Sequence, residues 1–165
     1  MTDRSEVADR RTAERFARVV AVGVGAVFAG AGAWAFVDPS SFFTDAAAFE
    51  PYNAHFIRDI GAFQLGLGAV LLVSVWVRDA LLAALAGVAV GAVAHLVAHL
   101  IDRHAGGDPA FDIPMFGLLA VLLVAGAIAR ARSVCQDGCC AGCLTRRRKV
   151  GRWRGGCSNS SSRGR

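Results

Sequence analysis

The sequence predicts an all-α integral membrane four-helix bundle, and three observations predict it. The first is composition: the chain of 165 residues is 55% hydrophobic with a mean hydropathy of +0.45, too apolar for an ordinary soluble domain. The second is the gathering of those residues into four stretches, Val19–Val37, Phe56–Val77, Ala80–Ile101 and Phe111–Ala129. A helix rises about 1.5 Å per residue, so roughly 17–25 mostly apolar residues cross a hydrocarbon core about 30 Å thick. All four stretches reach that length.

The third observation is charge placement. Five Lys and Arg residues precede Val19, one (Arg78) lies between the second and third stretches, and ten follow Ala129. The other side holds only Arg58 and Arg103. Cytoplasmic segments of membrane proteins carry the excess of Lys and Arg, so both termini are expected in the cytoplasm of a bacterial inner or plasma membrane. Asp38, Asp45, Glu50, Asp102, Asp108 and Asp112 then fall on the outer face. The net charge of +5 and pI near 9.4 follow from this topology, and no nucleic-acid partner is expected. The expected partners are the lipid bilayer and, within it, a second copy of the chain in a homo-oligomer or a redox complex.

Taken in order, residues 1–18 form a mixed-charge, helical cytoplasmic arm. Its arginines before an apolar run resemble a secretory signal, but signal cores are shorter and three more spans follow, so the first span is expected to be retained. That span ends at Asp38-Pro39, because proline lacks the amide proton a continuing helix would use. The outer loop from Asp38 to Tyr52 carries Phe42, Phe43, Phe49 and Tyr52, aromatics expected at the membrane interface or capping the bundle mouth. Spans two and three turn at Arg78-Asp79 through so short a connection that they are expected to be antiparallel neighbours. Gly106, Gly107 and Pro109 mark the turn of the second outer loop.

Small residues recur at four-residue spacing: Ala26 and Gly30, Ala62 and Gly66, Gly87 and Gly91. Such faces allow close backbone approach between membrane helices, or they simply reflect the Ala and Gly bias of such helices. Residues 130–165 form a basic, Cys-rich tail expected to be disordered. Within it, Cys135, Cys139, Cys140 and Cys143 have a spacing that could bind zinc or an iron–sulfur cluster. Palmitoylation beside a basic patch is an alternative, as is an unselected or out-of-frame extension.

Ionisable groups inside a span cost roughly 2.5–3.5 kcal/mol each on insertion scales and need a partner, water or a function. Span two opens with Asn53, His55, Arg58 and Asp59, the last three on one helical face. Span three closes with His95, His99 and Asp102, again on one face. Asp59 and His95 each lie about 10 Å inside the outer boundary at helical rise, so the two clusters are at matched depth. They define an expected outer-leaflet polar pocket between spans two and three. Four readings stay open: a structural ion pair, a site for a head group, quinone or small metabolite, a His–carboxylate proton relay, and a metal site. For the last, His55, His95, His99 and Asp102 are candidate ligands, although the glutamate of a His-Glu-x-x-His motif is missing from His95-x3-His99. No cofactor is identified by these residues.

The segment Asn53-x-His55-Phe56-x-Arg58-Asp59-x-Gly61-Ala62-Phe63, with the His95-x3-His99-x2-Asp102 ending of span three, resembles small actinobacterial four-helix membrane proteins of the DoxX-like and domain-of-unknown-function 4345-type group. The resemblance covers residues 19–129 and implies a compact membrane bundle, in some members linked to redox subunits. It maps no catalytic residue onto this chain. The function expected is that of a non-enzymatic membrane subunit or small-ligand or quinone-binding protein. The alternatives are a redox-enzyme component working with a quinone or thiol partner, and a proton-coupled carrier.

Overall fold

The computed structural model describes residues 4–77 and 80–136. Cys139, Cys140, Cys143, the Arg78-Asp79 connection and the rest of the tail lie outside the described residues. The architecture is all-helical: α1 (Arg4–Val37), α2 (Pro39–Ala46), α3 (Ala54–Ser74), α4 (Ala80–Ile101) and α5 (Pro109–Gln136). Four of these, all but α2, are long and apolar enough to cross a membrane. Between 22% and 33% of each one's most apolar window is buried, so most of the apolar surface faces outward. Phe63, Val90 and Val121 are 76%, 72% and 65% exposed. In water such a surface would drive aggregation, whereas in lipid it carries no penalty. This is the make-up of a multi-pass helical membrane protein.

Helix α3 ends at Ser74, short of the expected Val77, and two other boundaries differ more. The segment after Asp38 forms a helix, α2, where a loop was expected. Asp38 caps it by accepting from the Ser41 amide at 3.1 Å, and Pro39 occupies the first turn, where its missing N–H costs nothing. The same residue pair ends one helix and begins the next. At the other end of the chain, α5 runs past Ala129 to Gln136. Arg130 and Ser133 are buried there, with Arg130 Nη1 donating to Ser133 Oγ at 3.2 Å, so the ordered unit extends into what was expected to be tail.

Packing also departs from the expected pairing. The most extensive contact joins α1 to α3, followed by α4 with α5 and α1 with α5, while α3 and α4 meet only narrowly. Glycine explains the first of these. A Cβ on Gly32 would stand 2.6 Å from the Leu65 amide nitrogen and 2.7 Å from the Gly61 carbonyl oxygen; one on Gly68 would stand 2.6 Å from the Ala29 nitrogen. Gly25 and Gly32 on α1 therefore oppose Gly61 and Gly68 on α3, at seven-residue rather than four-residue spacing. The expected faces are elsewhere: Gly30, Gly66, Gly87 and Gly91 have nothing near a Cβ position and, with Ala26 and Ala62, are exposed. Where lipid removes the hydrophobic drive between helices, close backbone packing of this kind is what holds them together.

Two apolar cores result. The larger gathers Ala17, Val20, Ala21 and Val24 of α1 with Leu71, Leu85 and Leu123, the last three fully buried. The smaller, at the end of the helices where α2 sits, joins Ala35, Phe42 and Ile57.

Candidate functional site

Residues of α1, α2 and α5 line a cavity of about 770 Å³, within the range of small-molecule sites. Its walls come from α1 (Val27, Phe28, Ala31, Trp34) and α5 (Phe111, Asp112, Met115, Phe116, Leu119). Phe42, Thr44 and Asp45 of α2 and the Gly107-Asp108 turn close the α2 end, and Gln64 reaches in from α3. Both wall-forming segments have helical spacing, so each presents one stripe to the same space. Polar groups crowd the α2 end, and the body of the cavity is apolar. Val27, Trp34 and Phe111 remain 49%, 40% and 62% exposed, leaving a lateral opening between α1 and α5.

The α2 end is built from repeated Asp-Pro starts. Asp108-Pro109 begins α5 as Asp38-Pro39 begins α2: Asp108 Oδ1 accepts from the Ala110 amide at 3.1 Å. The Asp108 amide in turn donates to Asp112 Oδ2 at 3.1 Å. Gly106 and Gly107 precede this start with φ of 149° and 70°, in the region that favours glycine. The Gly107 amide donates to the Ala48 carbonyl at 3.2 Å, stitching the α4–α5 turn to the segment after α2. On α1, Trp34 Nε1 donates to Ser41 Oγ at 3.0 Å, and its ring meets Phe42 edge-on at 5.3 Å. The Asp38 carboxyl is held below the usual carboxylate range, first by the Ser41 amide and then by the Ser40 hydroxyl.

None of the seven polar residues expected from the sequence lines the cavity; the span-three histidines contact two residues that do, Asp112 and Phe116. His99 lies with Nδ1 3.7 Å from Asp112 Oδ2; their side chains are 14% and 8% exposed. His95 stacks edge-on against His99 at 4.8 Å and Phe116 at 4.4 Å. Phe49 covers His99 edge-on at 5.9 Å. The span-three histidines thus turn toward α5, which explains the wide α4–α5 contact. On α3, His55 Nε2 lies 3.6 Å from Asp59 Oδ2, with side chains 87% and 53% exposed. Arg58 is exposed beside them, and Asp102 is exposed at the end of α4. Asn53 is the N-cap of α3, its Oδ1 accepting from the His55 and Phe56 amides.

The cavity lies between α1, α2 and α5 rather than between spans two and three, and α3 packs on α1 with His55, Arg58 and Asp59 exposed. Among the described residues no hydrogen bond or ion pair joins the His55–Asp59 cluster to His95 or His99. Nor do three or more His, Cys, Asp or Glu side chains converge as a metal site would require, so His55, His95, His99 and Asp102 are not assembled as ligands.

The cavity's lining, Asp45, Asp108, Asp112, Gln64 and the aromatic rings among it, escaped sequence reasoning, and two of these residues carried a signal. Asp112 sits four positions after Asp108, a spacing at which a first-turn carboxylate can return to the cap amide. Gln64 is a polar residue mid-span, and its Oε1 is buried without a hydrogen-bond partner; its position ten residues into an apolar helix was the available signal. Comparison with known proteins gives no match: no family model, no curated protein and no solved structure is similar to the chain.

Proposed function

We propose that this is a non-enzymatic membrane protein that binds a small amphipathic ligand in the cavity between α1, α2 and α5. The observation that carries the reading is the buried, unpartnered Gln64 Oε1 in the wall of a cavity of about 770 Å³. An unpaired buried acceptor costs about 1–3 kcal/mol, and a ligand bearing a donor would remove that cost. The lateral opening suits a ligand that arrives through the lipid phase. Sixteen basic residues against two support an orientation with both termini in the cytoplasm, which puts the cavity in the outer leaflet. Membership of the DoxX-like group is part of the same reading and rests on the Asn53–Phe63 and His95–Asp102 segments.

The test is native mass spectrometry of the full chain released from nanodiscs, alongside Ala31→Trp, which fills the cavity, and Gln64→Leu, which removes the acceptor. The expected result is a bound small molecule on the wild type that both variants lose without a fall in melting temperature. An adduct unaffected by Ala31→Trp, or none on any protein, overturns the reading.

A further inference from the structure

The cavity's chemistry is one-sided. Its ionisable lining consists of Asp45, Asp108 and Asp112, and no Lys, Arg or His is among the residues that line it. Its two other polar side chains are Thr44 and Gln64, both neutral, and the Gln64 carboxamide carries an acceptor and donors alike. Asp112 is the deepest of the carboxylates, its side chain 8% exposed, and the cation nearest to it is at most a protonated His99 at 3.7 Å. Behind the carboxylates stand five aromatic rings, those of Phe28, Trp34, Phe42, Phe111 and Phe116.

Carboxylates at one end and aromatic rings along the walls attract the same kind of guest. A cation is favoured by the carboxylates through charge and by aromatic rings through their quadrupoles. An anion meets repulsion from both. We infer that the cavity binds a lipophilic organic cation, a quaternary or protonated amine or phosphonium on an apolar body, with its charge toward Asp108 and Asp112 and its body against Phe28 and Phe116. This inference rests on the cavity being a ligand site, as proposed above.

Tetraphenylphosphonium and tetraphenylborate have one shape and opposite charge, so they separate charge from fit. Binding of each to the full chain in maltoside detergent is measured by equilibrium dialysis against protein-free micelles. The expected result is phosphonium binding at least tenfold tighter than borate binding. Asp108→Asn with Asp112→Asn should lower phosphonium affinity at least tenfold. Asp45→Asn, an exposed change at the rim that leaves both helix starts intact, should lower it several-fold without weakening borate. Equal or tighter borate binding, or phosphonium binding unchanged in Asp45→Asn and in the double variant, overturns the cation inference while leaving the cavity as a site. Binding of neither probe, together with no ligand on the native protein, removes the site itself and the inference with it.

Discussion

His99 Nδ1 stands 3.7 Å from Asp112 Oδ2, linking the last turn of α4 to the first turn of α5. Each group sits where a helix favours its charge: an imidazolium at a C-terminus, a carboxylate at an N-terminus. The separation is outside hydrogen-bond reach, so the firmer partner of Asp112 is the Asp108 amide at 3.1 Å. Asp112→Ala is expected to lose about 1–3 kcal/mol by stranding that amide, and Asp112→Asn, which keeps an acceptor, clearly less. Thermal unfolding in detergent checks the order; equal losses would show that charge, not the cap, is what Asp112 contributes.

The α1–α3 crossing predicts a contrast between two glycines two residues apart. Gly32→Ala places a methyl 2.6 Å from the Leu65 nitrogen and 2.7 Å from the Gly61 carbonyl oxygen, both backbone atoms, so the helices must separate. Gly30→Ala meets nothing within 4 Å and gains about 0.5–1 kcal/mol of helix propensity. Melting temperatures in one detergent should move in opposite directions. A similar fall for both would place the contact on the four-residue face after all.

The four long helices were legible because length and hydropathy act locally, and α4 matches its expected bounds, Ala80–Ile101. What was not legible is which face of each helix meets which neighbour. In lipid, apolar residues line the outside as well as the inside, so the pattern that orients a soluble helix carries little information. Gly30 and Gly32 look alike in sequence, and only the partner helix tells them apart. The same ambiguity sent His95 and His99 toward α3 in the sequence reading, whereas Phe116 and Asp112 of α5 receive them. Asp-Pro was read at Asp38 as a stop; its second meaning, a cap followed by a first-turn proline, is what builds the α2 end at both Asp38 and Asp108.

The turn that carries the second Asp-Pro is sensitive at Gly107. Its φ of 70° is costly for a residue with a Cβ, by about 1–2 kcal/mol. That Cβ would also stand 2.8 Å from Asp112 Oδ2 and 3.1 Å from the Phe49 ring. Gly107→Ala is therefore expected to destabilise by more than the backbone term alone and to weaken ligand binding in the cavity it lines. Gly117→Ala, with nothing within 4 Å of its Cβ position, is the control in the same helix assembly. Equal melting temperatures for the two variants would remove the turn's role.

Acid should loosen α2 through Asp38. Its carboxylate accepts from the Ser41 amide at 3.1 Å and the Ser40 hydroxyl at 2.8 Å, and these bonds hold its pKa below the usual value of 3.8. A carboxyl whose folded pKa is depressed stabilises the fold above its unfolded pKa and loses that contribution as pH falls through the folded value. The window is thus from about pH 4 downward. Trp34 reports it, because its Nε1 donates to Ser41 Oγ at 3.0 Å and its ring abuts Phe42. With Trp76→Phe and Trp153→Phe removing the other indoles, Trp34 emission should shift as pH drops below about 4. Asp45 also accepts from Ser41 Oγ, at 3.4 Å, so Asp45→Asn is carried through the experiment and should keep the transition. Asp38→Asn retains an acceptor for the Ser41 amide but has no proton to gain, and its emission should stay flat over that window. A transition that persists in Asp38→Asn and disappears in Asp45→Asn would assign the acid response to Asp45 and leave the Asp38 cap without one.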